Sequence, residues 1–211
     1  MAPPSEPQPA DALTLLRRFR ARSGEIGWRS AVHELRSATQ SIWAAAPLDQ
    51  RRRFLRHLRA WWDVHRHRIA PAVAERIAAM EHVGRLSVFA GRLLSARADG
   101  EAAEVTLRRR GSAEAEVLRV ARIVNCTGPE LDIVRAGESL FAALLEAGRI
   151  RPDPCRLGID VDGESRAIGA GGAASETLYA IGPVTRGAFW ESIAVPDIAV
   201  QAQQVARRIS A

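Results

Sequence analysis

Two short stretches of this chain carry the residue types that a ligand-holding turn needs. The first is Leu178 to Ser192, LYAIGPVTRGAFWES. Its apolar run, Leu178-Tyr179-Ala180-Ile181, stops at Gly182-Pro183. Thr185, Arg186 and Gly187 follow, then Phe189 and Trp190, and a helical pattern runs on to the C-terminus. A buried strand, a tight glycine turn and a helix N-terminus together can hold an anion, because glycine admits close backbone approach and the first helical N–H groups have no internal acceptor. The second stretch, Ile123-Val124-Asn125-Cys126-Thr127-Gly128-Pro129, has the same strand-then-Gly-Pro form. There Gly128 tolerates any φ and Pro129 fixes the exit direction. An ordinary strand-ending turn satisfies the same pattern at both places.

Other groups with chemical capacity read more plainly. Arg51, Arg52, Arg53, Arg56 and Arg59 interleave with Phe54, Trp61 and Trp62. Such a face can bind nucleic acid through charge and stacking. The same spacing also describes an amphipathic helix with its arginines in water and its tryptophans in the core, and that is the favoured reading. Asp63 and His67 share a helical face while His65 points elsewhere, and no zinc-binding spacing is present, so no metal is expected. Cys126 has no CxxC partner and reads as a buried, inert thiol. Gly169-Ala170-Gly171-Gly172 looks phosphate-binding, but a strand follows it, so it reads as a hairpin connection. Glu191 and Ser192 either face a cofactor or satisfy the first turn of the last helix. No residue is a convincing general base, and the catalytic residues stay unassigned.

RIVNCTGPELDI followed by LYAIGPVTRGAFWESIAVPDIAVQA, together with FLRHLRAWWDVHRHRIAP at 54–71, resembles the C-terminal half of bacterial FAD/NAD(P)-binding proteins, flavoproteins of the two-dinucleotide-domain type. The resemblance spans residues 12–210. It implies that Thr127, Gly128, Pro129, Gly182, Pro183, Thr185, Arg186, Gly187 and Trp190 lie at an FAD site, with NAD(P)H as the companion nucleotide. Such proteins open with a strand and a G-x-G-x-x-G turn that binds the FAD pyrophosphate. This chain opens MAPPSEPQPADALTLL instead. Related enzymes also place an Asp after the glycine corresponding to Gly182. Here Pro183, with neither a side-chain acceptor nor an N–H, stands there. The resemblance therefore implies a C-terminal flavoprotein half that binds FAD weakly or not at all alone. It would need a separate Rossmann half, or it would self-associate through exposed strand edges.

The elements that must position these groups follow from periodicity. Residues 1–11 form a Pro-rich tail, expected to be disordered. Helical spacing runs through Leu13, Leu16 and Phe19 to a stop at Gly24. It resumes from Trp28 to Ala46, from near Asp49 to Ile69, and from Pro71 to Gly84. Residues 12–84 thus form a helical subdomain. Residues 85–125 form an antiparallel meander, with turns at Asp99-Gly100 and Gly111-Ser112 and a third strand over Val117–Val124. Residues 126–211 hold a helix over Glu138–Ala147, an alternating strand through Leu157, Ile159 and Val161, the Leu178 strand and a last helix from Pro196 that buries Ile198, Val205 and Ile209. The resemblance implies that this segment is the C-terminal part of an FAD-binding domain. The fold class is α+β to α/β: a helical subdomain, a small antiparallel meander and a βα segment resembling the end of a Rossmann domain.

Composition bounds the function classes. No apolar run approaches the ~20 residues of a membrane span, so no membrane partner is expected. The N-terminus shows no charged segment leading into an apolar one, so no secretory signal is expected, and two cysteines make no disulfide framework. A reduced cytoplasm follows. Every basic side chain apart from the histidines is arginine, and 30 of them against 24 acidic residues leave a charge of +6. That excess does not by itself imply nucleic acid. The alternative to a flavoprotein is a small basic nucleic-acid-binding or helical interaction module that uses the Arg/Trp-rich helix at 51–68.

Overall fold

The structure, a computed structural model, describes residues 11–210; apart from Asp11, the Pro-rich tail expected over 1–11 lies outside them. The chain is a mixed helix-and-sheet protein that divides into two compact units. One is built from the chain up to His67 and from Glu130 onward, the other from Arg68 to Pro129. The sequence reading placed its divisions at 84/85 and 125/126.

In the first unit, Asp11 caps helix α1 (Ala12–Ile26), its carboxylate accepting from the Thr14 N–H at 2.7 Å. The helix runs through Gly24 and stops at Gly27. The single helix expected over 28–46 is two, α2 (Trp28–Arg36) and α3 (Thr39–Ala45). Between them the Ser37 hydroxyl donates to the Glu34 carbonyl and the Thr39 hydroxyl to the Leu35 carbonyl. Such back-bonding competes with the helical ladder and turns the chain. The next expected helix is likewise divided at Leu58 into α4 (Leu48–His57) and α5 (Arg59–Arg66). Phe54 and Trp62, on either side of that break, both pack on the cluster of Trp43, Leu157 and Trp190.

The second unit holds α6 (Pro71–His82) and a meander β1 (Gly91–Asp99), β2 (Ala102–Arg109), β3 (Glu116–Val120), antiparallel in that order. Pro71 opens α6 as expected, and both expected turns connect the strands. Register explains why β1 starts at 91 rather than near 86, and why β3 ends at 120 rather than 124. Gly91 pairs with Arg109, the last residue of β2, and Val120 with Ala103, one short of its first, so little or no β2 is left for residues beyond them to pair with. A bulge between Leu93 and Ser95 keeps Leu93, Ala96, Val105, Leu107 and Leu118 on one face. Arg97–Glu104 and Arg119–Asp99 ion pairs occupy the other.

The chain returns to the first unit with α7 (Ile133–Ala136) and α8 (Ser139–Glu146). A two-stranded antiparallel sheet follows, β4 (Arg166–Ile168) with β5 (Ala174–Tyr179), joined across the Gly-rich 169–172 stretch as expected. The last helix is α9 (Val195–Ile209). Leu157, Ile159 and Val161 are buried, but they form no strand. They meet their neighbours through isolated bridges, Pro152 with Ile159, Gly158 with Thr185 and Val161 with Ala167. Pro152 and Pro154 supply no N–H, so no continuous ladder forms there. Ile133, Ile150, Ile159, Val161 and Ala167 make the core of this half, with Phe141, Leu144 and Leu145 of α8 against it. Ile209, expected inward, is exposed, and so is Leu140 on α8.

Candidate functional site

The loop from Gly182 to Ser192 is densely hydrogen-bonded within the first unit. Ile181 ends the apolar run, and Gly182 takes a positive φ of 78° that other residues rarely adopt. Pro183 presets a short 3-10 turn, Gly182–Val184. Every polar group of Gly182 is engaged inside the protein. Its N–H donates to Gln201 Oε1 at 2.8 Å, and its carbonyl accepts from the Thr185 hydroxyl at 2.8 Å and the Ser192 hydroxyl at 3.0 Å. Gln201 Nε2 donates onward to Ser165 and Thr185, each at 3.1 Å. The turn is closed by side chains, and Ile198, in the first turn of α9, packs beside Gly182.

The second half of the loop lies on the helical layer. Gln40 from α3 acts as a one-residue backbone mimic, donating to the Ala188 carbonyl at 2.9 Å and accepting from the Trp190 N–H at 3.0 Å. Trp43 Nε1 donates to the Gly187 carbonyl at 2.8 Å, and Arg51 Nη1 reaches the same oxygen at 3.3 Å. Gly187 has no room for a side chain, because a Cβ there would overlap the carboxylate of Asp153. Trp43 and Trp190 lie 4.6 Å apart between ring centres, tilted by 30°, and Phe54 meets Trp190 edge-on at 5.3 Å.

Arg186 carries the charge of the loop. It is 7% exposed, its guanidinium carbon sits 4.1 Å over the Trp190 ring, and Asp63 stands 3.8 Å away. Arg66 and Glu191 pair beside it at 3.3 Å. Burial, with repulsion from Arg59, holds the Arg186 guanidinium below its ordinary value; it stays cationic at neutral pH. Among the described residues, the buried atoms Arg186 Nε, Arg66 Nε and Asp63 Oδ1 have no hydrogen-bond partner. Three arginines against two carboxylates leave this cluster with one positive charge in excess.

Of the residues expected at a cofactor site, the structure brings together Gly182, Thr185, Arg186, Gly187 and Trp190, with Pro183 exposed beside them. Thr127, Gly128 and Pro129 are exposed and belong to the other compact unit. They do not end a strand. β3 stops at Val120, and Thr127 is held by the Asn125 side chain, which accepts from its N–H at 3.0 Å and its hydroxyl at 2.8 Å. Cys126 is exposed, a correction to the buried thiol expected there. Gly128 has open space where a Cβ would stand. For a flavin dinucleotide the fit is therefore uneven. In the first unit Arg186 suits an anionic group, whereas the backbone of Gly182 and the hydroxyl of Thr185 are already spent on the fold.

Gln40, Gln201 and Asp153 escaped the sequence reading, which weighed Asp63 only as a metal ligand. Gln201 had a signal: it sits on the inward stripe of α9, where a lone polar residue marks a buried network. The arginine run is less of a surface than its sequence implies. Arg51 turns inward to the carbonyls of Ala44 and Ala46, Arg59 pairs with Asp63, and Arg52 donates to the Pro154 carbonyl. Trp61, expected in the core, is 68% exposed. No group of three or more His, Cys, Asp or Glu among the described residues is placed to hold a metal. Comparison with protein-family models, with curated proteins and with solved structures finds no match to the chain.

Proposed function

We propose that this chain is an FAD/NAD(P)-binding oxidoreductase-like protein that acts as the C-terminal part of a flavoprotein, its dinucleotide-binding half supplied by a separate Rossmann-bearing chain. The observation that carries this reading is the state of residues 68–129. They form a hydrogen-bonded three-stranded sheet with one apolar face, yet not one of them is buried. On the apolar face Leu93 is exposed and Val105, Leu107 and Leu118 are only half-buried, while Val88, Leu94, Val117, Ile123 and Val124 elsewhere in the segment are exposed as well. A sheet with an apolar face needs a second layer to be stable, so this segment reads as part of a larger domain. The segment 126–211 is then the end of the FAD-binding domain.

FAD, when bound, supplies the hydride chemistry, with NAD(P)H as the electron source. The chain's own residues orient it. Arg186, fixed by Trp190 and Asp63, offers a preorganised cation to a phosphate, and Arg66 adds to the same field. Within the other unit, taken by itself, Thr127, Gly128 and Pro129 leave an exposed backbone edge. Gln201, Thr185 and Ser192 hold the Gly182 turn in shape. Among the described residues no helix is long and apolar enough to cross a membrane. With both cysteines unpaired, a reducing cytoplasm is the compartment that fits.

The test is a visible absorbance scan of the purified chain after addition of FAD and desalting, with phosphorus NMR of FAD in the chain's presence. We expect no retained flavin band. We also expect broadening of the pyrophosphate resonances, from binding near the millimolar range, about −4 kcal/mol. Arg186→Gln and the less buried Arg66→Gln should each remove the broadening. A stoichiometric retained flavin refutes the need for a second half. Pyrophosphate resonances untouched by the folded parent chain refute the FAD site.

A further inference from the structure

The chain has five tryptophans, Trp28, Trp43, Trp61, Trp62 and Trp190, and all five line one cleft in the first unit. The cleft has a volume of about 450 Å³. Its walls are α1 to α5, and its floor is the stack of Trp43, Trp190 and Phe54. That volume lies within the range of small-molecule sites, which are apolar with a few convergent polar groups. Apart from Trp190, no residue of the Gly182 loop takes part, so the cleft is distinct from the Arg186 cluster.

The polar groups of this cleft share one character. No Asp or Glu lines it, while Arg20 and Arg51 do. Arg51 is committed to backbone carbonyls and to the Trp43 ring, over which its guanidinium carbon sits at 5.2 Å. Arg20 is exposed on α1, one turn from Ser23 on the same helical face. The Ser23 hydroxyl is buried and has no hydrogen-bond partner among the described residues. A buried hydroxyl without a partner costs free energy unless a ligand supplies one. Trp61, at 68% exposure, leaves a large ring in water at the cleft.

We propose that this cleft binds a small planar aromatic carboxylate. Flat indole walls favour a ring over a flexible chain, because offset and edge-on ring contacts add to area burial. The absence of acidic lining residues and the cation of Arg20 select an anionic head. The ring enters between Trp61 and Trp28 and rests against the Trp43–Trp190 floor.

The experiment titrates the full chain with 2-naphthoate, followed by calorimetry and by quenching of tryptophan fluorescence. We expect saturable one-to-one binding in the micromolar range. Arg20→Gln, a change at an exposed position, should weaken 2-naphthoate about tenfold and leave the uncharged 2-naphthylmethanol unchanged. Leu35→Trp, which fills the cleft, should abolish binding of both, with circular dichroism and the melting midpoint reporting that it folds. Absence of saturable binding to the folded parent overturns the proposal, as does binding indifferent to both variants. Tighter binding of decanoate than of 2-naphthoate refutes the aromatic specificity. A dimer in sedimentation that excludes naphthoate and that Trp61→Arg dissociates assigns the cleft to a second copy instead.

Discussion

Asp153 shows how one residue can be held against its chemical preference. It is buried, and its carboxylate accepts from the Leu157 N–H at 2.5 Å and the Cys155 N–H at 3.1 Å. Burial nevertheless holds its carboxyl above the ordinary aspartate range, more than those amides pull it down. A carboxyl whose value is higher folded than unfolded binds its proton more tightly in the fold. Its stabilising contribution is present below the unfolded value and is lost as pH rises through the folded one. Asp162, held low by hydrogen bonds from Arg166, works in the opposite sense, so the difference between variants is the clean readout. Asp153→Asn should gain stability relative to the parent as pH rises from about 3 to about 6. Urea melts across that range check this; a pH-independent difference refutes it. Arg186 is the counterpart of opposite charge. It is tolerated in the interior because the Trp190 face and the Asp63 carboxylate offset part of its desolvation.

At the scale of elements, side-chain amides do what backbone ladders do elsewhere. Gln40 ties α3 to the Gly182–Ser192 loop, and Gln201 ties α9 to both that loop and the β4–β5 sheet through Ser165. These contacts join residues far apart in sequence, where no regular pairing is available. Gln201→Leu removes the acceptor of the Gly182 N–H and the donor to Ser165 and Thr185, leaving buried polar groups unpaired. A loss of about 2–4 kcal/mol in unfolding free energy is expected from chemical denaturation. A change below about 0.5 kcal/mol would show that the network contributes only shape. The helix breaks at 37–38 and at Leu58 serve the same end. They let short amphipathic pieces present Trp43, Phe54 and Trp62 to one cluster, which a straight helix could not do.

For the whole molecule, the two compact units differ in kind. The first contains every buried residue among those described, and the second contains none. Local stability should follow. In amide exchange the β1–β3 amides should exchange at much lower opening free energies than Ile150–Ile168 and α9, despite their regular hydrogen bonds. Equal protection in both units would mean that the apolar sheet face is already covered in solution. Protection gained by 91–120 on adding a partner chain would locate the docking surface.

The sequence by itself determined the class of most segments, though not of the Leu157–Val161 stretch, and much of the punctuation. Pro71 began a helix, Asp99-Gly100 and Gly111-Ser112 turned the meander, and the Gly-rich 169–172 stretch joined two strands, because each rests on the local φ preferences of glycine and proline or on two-residue alternation. It also marked the Gly182–Ser192 loop, through an abrupt end to an apolar run. Only tertiary structure decided what that loop's groups are used for. Gly182 is sealed by Gln201, which lies 19 residues away. Trp190 is fixed by Gln40, which lies 150 residues away. Hydrogen bonds across such separations leave no periodic trace in the chain. The same holds for Cys126, exposed although the lack of a CxxC partner pointed to a buried, inert thiol, and for the five tryptophans, whose gathering at one cleft depends on helix breaks that side-chain hydroxyls and packing impose. Local propensity set the pieces, and long-range satisfaction of buried polar groups set which of them face water, each other or a ligand.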